Sequence, residues 1–213
     1  TVLYIGAALP IIGVMLFVTL RPVLVLPRIR PAPGFVLVDQ QGQRVSNEDL
    51  RGQIVLYSFA STQCGAPCAP TQTLVSELAS RLDEVESNIP ITLVTISLDP
   101  EQDTPETVAA FVASQGIDPD RHRWLTGDPQ QIRNVVGGGF KAYYSLDPDH
   151  TLHIDPTLML VDGVGILRSE YRLQLPEVET LLRDISLLVE EANNSKGLTR
   201  YAYEAAHLFL CYP

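Results

Sequence analysis

The chain has 213 residues, of which 25 are acidic and 15 are basic, giving a formal net charge of -10. This charge argues against nucleic acid as a partner, because phosphate binding needs clustered lysines and arginines. Hydrophobic residues make up 46% of the chain, enough to bury a core. The three cysteines are too few for a small protein held together by disulfides.

The first predicted element is a membrane anchor over residues 1–21. Val2 to Leu20 carry no charge, and as a helix they would span about 28 Å, close to the hydrocarbon thickness of a bilayer. A cleaved signal peptide is the competing interpretation, but no small-x-small cleavage site precedes Arg28 and Arg30. We also expect further residues before Thr1. Residues 22–33 contain four prolines and are predicted to form a stiff, extended linker.

Alternating strand and helix patterns over residues 34–192 predict an α/β domain, a sheet covered by helices on both faces. A small hairpin is predicted around the turn at 40–42. The predicted strands are Ile54 to Phe59, Ile91 to Ile96, Leu158 to Val161 and Ile166 to Tyr171. Apolar residues at helical spacing follow Thr71, Thr104 and Val178. Thr104 is predicted to cap its helix, with Pro105 at the first position.

Cys64 and Cys68 are the predicted working groups, at the point where the first core strand gives way to its helix. Two cysteines four apart at a helix start lie on one face, so their sulfurs can converge. A helix amino terminus favours negative charge and hence the thiolate, which binds soft metals and exchanges disulfides. A structural disulfide, or two buried core thiols, is the alternative interpretation.

Two longer motifs surround this pair. Thr62, Cys64 and Cys68 form a T-x-C-x-x-x-C pattern after a predicted strand, and Asp99 to Pro105 read D-P-E-Q-D-T-P. Two shorter segments, Leu125 to Gly127 and Leu37 to Asp39, add to the pattern. With these motifs the chain resembles, over about residues 33–190, the Sco (SenC) family of copper-handling proteins tied to cytochrome c oxidase assembly.

The resemblance implies a thioredoxin-like fold with one amino-terminal transmembrane helix. It further implies a domain in the periplasm or the mitochondrial intermembrane space, with Cu(I) or Cu(II) bound by two cysteines and one histidine. The cysteine motif also departs from the family. The family usually carries C-P-D-x-C-P, whereas Gly65 and Ala66 replace the proline and aspartate, and Ala69 separates Cys68 from Pro70. We therefore expect the helix to begin with a different tilt and to lack an acidic group beside the cysteines.

The resemblance predicts His153 as the third copper ligand. The family's histidine lies just before the strand that ends at Leu160 and Val161, and His153 precedes that strand closely. It is about one residue out of register, so a local bulge would be needed, and a solvated loop histidine is the alternative. His150 is further out of register. His122 stands between charged residues and is predicted to lie at the surface.

Asp155-Pro156-Thr157 also resembles the thioredoxin segment in which a cis proline lies against the active cysteines. This resemblance supports the fold and favours a redox alternative to copper binding. Gly137 to Gly139 are predicted to form a flexible loop rather than a phosphate cradle.

Residues 193–213 form a tail rich in Tyr, Leu and Phe. It is predicted either to pack on its own domain as a terminal helix or to dock on a larger membrane complex. His207 and Cys211, four residues apart, are a further candidate metal pair.

Three functions are compatible with these patterns. The first is a membrane-anchored protein with one copper site, made of Cys64, Cys68 and His153, that delivers copper or reducing equivalents to a respiratory oxidase, with cytochrome c oxidase as the expected partner. The second is a thiol-disulfide oxidoreductase with Cys64 as nucleophile and Cys68 as resolving thiol. The third is a non-catalytic subunit of a respiratory or photosynthetic membrane complex, in which the pair is an inert disulfide.

The predicted location is a bacterial inner membrane, with a single span and the domain on the periplasmic side. The mitochondrial inner membrane is the alternative. Arg21, Arg28 and Arg30 taken alone favour a cytoplasmic domain, so the choice of side depends on the family resemblance.

Overall fold

The computed structural model describes residues 24–195 and 199–209. The predicted anchor at 1–21 and Cys211 lie outside these residues. Within the two described ranges, no helix is both long and apolar enough to cross a membrane.

The described chain alternates strands and helices. The strands are β1 (Arg30–Pro31), β2 (Val36–Asp39), β3 (Arg44–Ser46), β4 (Ile54–Ala60), β5 (Ile91–Ser97), β6 (His122–Thr126), β7 (Tyr144–Leu146), β8 (Leu152–Ile154), β9 (Thr157–Val161) and β10 (Ile166–Arg172). The helices are α1 (Ala69–Arg81), α2 (Pro105–Ser114), α3 (Pro129–Ile132), α4 (Val178–Asn194) and α5 (Thr199–Phe209). A π-helix, Arg133–Phe140, continues α3.

Eight strands form one mixed sheet in the order β1-β10-β9-β4-β5-β6-β2-β3, while β7 and β8 form a separate hairpin. The central strands β4, β5 and β6 run parallel, as expected for strands joined by the crossover helices α1 and α2. The other pairings are antiparallel. The carboxyl end of β4 therefore delivers the chain directly to the cysteine motif at one edge of the sheet.

Both faces of the sheet are buried. Every residue of β4 is buried, and its neighbours Leu56 and Tyr57 belong to different apolar clusters. Because successive side chains of a strand point to opposite faces, one cluster covers each face. The cluster around Leu56 includes the inner faces of α1 and α4. This two-sided burial explains why β4 and β5 appear in the sequence as continuous apolar runs.

The structure confirms the predicted hairpin, the four predicted strands and the three predicted helices, with end shifts of a few residues. Thr104 caps α2 as expected, since its side chain accepts a hydrogen bond from the backbone N–H of Thr107. The prediction of a flexible loop at Gly137 to Gly139 is wrong, because these residues lie within the π-helix. Strand β6 and the β7–β8 hairpin were not predicted.

The segment before β2 packs on the domain. Buried Arg168 pairs with Asp162 and Glu191 at 2.9 and 2.6 Å. The same guanidinium donates to the backbone carbonyls of Leu26 and Pro27. Val25 is fully buried and forms a small cluster with Tyr203 and Ala206 of α5. The described part of the tail is thus a helix packed on its own domain, one of the two predicted arrangements.

Candidate functional site

Cys64 and Cys68 are joined by a disulfide, with their Cα atoms 5.7 Å apart. Cys68 is the N-cap residue of α1 and is 1% exposed, whereas Cys64 is only partly buried. The predicted convergence of the two sulfurs is therefore confirmed. Cys64 is the sulfur that other molecules reach more easily.

The turn between the cysteines explains one departure from the family motif. Gly65 has φ +57°, and its carbonyl accepts the backbone N–H groups of Cys68 and Ala69. Proline holds φ near -65°, so the proline that the family carries at this place could not adopt this turn. The glycine substitution is therefore matched to the local backbone.

The helix start is arranged to favour negative charge. The first turn of α1 contains no acidic residue and carries Pro70 near its start. The aligned peptide dipoles of a helix favour negative charge at its amino terminus, here the thiolate that reduction of the disulfide would release. This geometry would raise the reactivity of the reduced pair.

Asp103 connects the cysteine loop to the D-P-E-Q-D-T-P loop. Its carboxylate accepts hydrogen bonds from the Thr62 backbone N–H (3.1 Å), the Thr62 hydroxyl (2.5 Å) and the Ser97 hydroxyl (2.5 Å). Burial raises the pKa of Asp103 above its ordinary value, while the hydrogen bonds from Ser97 and Thr62 oppose this rise. In the sequence Asp103 is visible only as part of the family motif, because its partner Thr62 lies 41 residues away.

The two candidate histidines lie on the β7–β8 hairpin but have different partners. His153 Nε2 is 3.0 Å from Asp147 Oδ2, with its side chain 59% exposed. His150, in the turn at φ +64°, places Nδ1 2.9 Å from buried Asp99 Oδ2. His153 and Pro67, which lies between the cysteines, line one open cavity of about 450 Å³. The hairpin therefore brings His153 to the cysteine loop's side of the molecule.

In the described ranges, no three His, Cys, Asp or Glu side chains are grouped closely enough to hold a metal ion. The assignment of His153 as a ligand remains a prediction. His207 pairs with Glu191 at 2.9 Å, while its proposed companion Cys211 lies outside the described residues.

The family model of SCO1/SenC matches residues 28–190, most of the chain. This chain belongs to the SCO1/SenC family. A putative copper-binding protein of Stutzerimonas stutzeri is 30% identical over 156 residues, which are 72% of this chain and 74% of that protein. The SCO1 protein homolog of Bacillus subtilis is 32% identical over 109 residues, 51% of this chain and 55% of that protein. The match to this second relative thus spans about half of its length.

Solved Sco structures share the fold. Bradyrhizobium japonicum ScoI with copper bound has a TM-score of 0.60 at 27% identity, covering 74% of this chain and 99% of that one. BsSco, described as a member of the Sco family of cytochrome c oxidase assembly proteins with a disulfide switch, has a TM-score of 0.66 at 24% identity, covering 76% and 94%. The predicted thioredoxin-like α/β fold of a Sco protein is confirmed for the described domain.

Two expectations about this Sco chain are wrong. His122 is not at the surface but 7% exposed, with Nε2 2.7 Å from Thr95 Oγ1. Charged neighbours in the sequence suggested exposure, but the alternation of β6 turns His122 inward. The described residues contain no cis peptide bond, so Pro156 does not reproduce the thioredoxin cis proline.

Proposed function

We propose that this Sco chain binds one copper ion between Cys64, Cys68 and His153 and passes copper, or reducing equivalents, to a respiratory oxidase. The observation that carries the proposal is the cysteine pair, whose two sulfurs converge at the amino end of α1. Two thiolates and one imidazole are donors that suit copper in both oxidation states. The copper-binding relatives named above support the same chemistry.

Copper binding requires the disulfide to open first. Two electrons and two protons convert the bond between Cys64 and Cys68 into two thiols, and each thiol releases its proton when it binds the metal. We assign the electrons to an external thiol reductant, which is itself oxidised to a disulfide. The metal therefore enters as cargo after a redox step.

His153 would then approach the reduced pair by movement of the β7–β8 hairpin. Asp147 lies on the same hairpin and would travel with His153, keeping its hydrogen bond to Nε2. In that arrangement Nδ1 is the nitrogen left for copper, and Asp147 holds the orientation of the ring.

The test compares two histidine variants on one hairpin. The reduced, oxygen-free full chain is titrated with copper, and stoichiometry and the sulfur-to-copper charge-transfer absorption are recorded. We expect one tightly bound copper for the wild type and for His150→Ala, and at least tenfold weaker Cu(II) binding for His153→Ala, about 1.4 kcal/mol. Unchanged binding by His153→Ala would remove this ligand from the site. No tight binding by the wild type would refute the copper proposal itself.

Thiol-disulfide exchange is the second candidate, favoured by the unequal burial of the two sulfurs. Cys64 is accessible while Cys68 is buried, the arrangement of an attacking thiol and a resolving thiol. Under this proposal Cys68→Ser would accumulate a mixed disulfide through Cys64 with a partner thiol, whereas Cys64→Ser would not. Mass spectrometry of the trapped adducts distinguishes the two variants.

We also propose that the chain is anchored in a bacterial inner membrane with its domain in the periplasm. The uncharged segment Val2 to Leu20 supports the anchor, and the disulfide is of the kind that persists in oxidising compartments. Resistance of the expressed full chain to alkaline extraction, together with its digestion by protease added to spheroplasts, would test both parts. Extraction into the soluble fraction would contradict the anchor.

A further inference from the structure

A cleft between α1 and α2, above the parallel strands β4, β5 and β6, is unrelated to the copper proposal. Its volume is about 510 Å³, and neither cysteine lines it. Small-molecule sites in proteins usually enclose about 300–1,000 Å³. The cleft is therefore large enough for an organic ligand.

The floor of the cleft is polar, which is unusual for the centre of a buried sheet. Ser58 and Thr95 pair in the parallel register, and their hydroxyl oxygens are 2.7 Å apart. Thr95 Oγ1 is also 2.7 Å from His122 Nε2. The three side chains are buried and line the cleft. Burying polar groups costs free energy unless they are hydrogen bonded, and these three side chains meet that need for one another, which leaves a hydrogen-bonded polar floor beneath the cleft.

The charges of the cleft disfavour an ionic ligand. Burial lowers the pKa of His122 to about 4, so the floor is uncharged at neutral pH. The charged residues that line the cleft are Asp83, Asp118 and Arg121, and Arg121 is paired with Asp83 at 2.9 Å. Among these lining residues there is no unpaired positive charge to attract an anion, and a cation would meet a neutral floor.

The wall is apolar and aromatic. Phe111 of α2 packs on Trp124 of β6 with ring centroids 4.9 Å apart, and Val75 and Ile117 extend the same surface. Trp124 is 1% exposed, and its indole Nε1 has no hydrogen-bond partner in the described part of the chain. Aromatic rings pack favourably on such a wall.

We propose that this cleft binds an uncharged aromatic alcohol of the phenol class, with its ring against Phe111 and its hydroxyl at the His122 side of the floor. Nε2 of His122 is engaged with Thr95, so Nδ1 is the ring nitrogen left for a ligand. A hydroxyl both donates and accepts, so it can bond to Nδ1 in either tautomer. The apolar wall favours a ligand with an aromatic ring, and the uncharged floor favours a ligand that carries no charge. This site depends on neither Cys64 nor Cys68.

Trp124 is the chain's single tryptophan, so its indole N–H gives one NMR signal that reports on the cleft. The full chain, labelled with nitrogen-15, is titrated with phenol and separately with toluene, which has a methyl group in place of the hydroxyl. We expect a saturable shift with phenol and about tenfold weaker binding of toluene, the value of one net hydrogen bond. A non-saturating response to phenol, or equal binding of toluene, would overturn the proposal.

Two matched variants test whether the phenol-induced NMR shift arises from binding in the cleft. Ser76→Phe fills the cleft from α1, whereas Thr73→Phe adds the same ring at an exposed position of α1 that does not line it. We expect loss of the phenol-induced shift only in Ser76→Phe, and equal binding of phenol and toluene in His122→Phe. Phenol binding by Ser76→Phe at wild-type affinity would refute the site. Both variants should bind copper as the wild type does. A failure of the phenol-site proposal can therefore be distinguished from a failure of the copper proposal.

Discussion

The carboxylate of Asp103 holds the cysteine loop in place through Thr62 and Ser97. Asp103→Ala would leave one backbone N–H and two hydroxyl groups without their acceptor, in a place where water does not easily replace it. Because each of these three groups costs about 1–3 kcal/mol when it is left without a partner, we expect the free energy of unfolding to fall by at least about 3 kcal/mol. Urea unfolding measures this change.

Glu101→Ala is the matched control for Asp103→Ala, because Glu101 lies on the same loop and its side chain is exposed. We expect its unfolding free energy to stay within about 0.5 kcal/mol of the wild type. Equal stability of the two variants would show that the Asp103 contacts do not support the loop.

His122 makes stability depend on pH in a defined window. Its pKa is lowered by burial from 6.5 to about 4, so the unfolded chain takes up a proton more readily than the folded one. Stability is therefore highest above pH 6.5 and is lost as the pH falls from 6.5 to 4, by about 3 kcal/mol from this group. Asp83, Asp118 and Arg121 line the cleft beside it and are unchanged in the variants that follow.

Urea unfolding at several pH values tests this expectation. His122→Leu should be less stable than the wild type at pH 7 but should show a flatter profile between pH 4 and 6.5. His153→Leu, which alters an exposed histidine, should keep the wild-type slope. A wild-type slope in His122→Leu would contradict the assignment.

At the scale of elements, the π-helix is packed against the segment that precedes β2. A Cβ on Gly139 would overlap the Pro33 side chain, while the same addition at Gly138 meets open space. We expect Gly139→Ala to lower the free energy of unfolding by about 1–3 kcal/mol, as overpacking does. Gly138→Ala should change it by about 0.5 kcal/mol or less. Thermal unfolding of the two alanine variants would distinguish them, and equal midpoints would refute the contact.

The elements that could be predicted are those whose side chains carry a regular pattern. Strands β4 and β5 are buried on both faces, so each is a continuous apolar run. Strand β6 was missed because it begins His-Arg, and the inward polar face of His122 belongs to a cleft that only the folded sheet creates. The π-helix was missed because its three glycines have no side chains to form a pattern.

In the cysteine site, the pairing of Cys64 with Cys68 was predictable because it depends on local spacing. Two sulfurs four residues apart at a helix start are a local arrangement, and local spacing is visible in the sequence. Asp103 and His150 bond to residues that are tens of positions away in the sequence, whereas His153 bonds to Asp147 within the β7–β8 hairpin. They depend on the strand order and on the hairpin, which spacing alone does not specify.

For the whole molecule, stability should follow the redox and copper state of the cysteine pair. The disulfide closes a loop of only a few residues, so its reduction is expected to cost about 2 kcal/mol. Copper that binds the folded reduced protein should restore at least this amount, about 2.7 kcal/mol at a hundredfold excess over Kd.

Unfolding curves of the oxidised, reduced and reduced copper-loaded forms measure the loss of stability on reduction and the gain on copper binding. The double variant Cys64→Ser with Cys68→Ser should respond to neither reductant nor copper. Copper that leaves the stability of the reduced wild type unchanged would contradict binding at this pair.

The hydrogen bonds from Arg168 to the carbonyls of Leu26 and Pro27 fix where the chain leaves the domain. A flexible connection would let the disulfide edge sweep through a wide volume, with encounters governed by effective concentration. Here Arg168 binds Leu26 and Pro27 to the sheet, so this segment turns together with the domain and does not act as a loose tether.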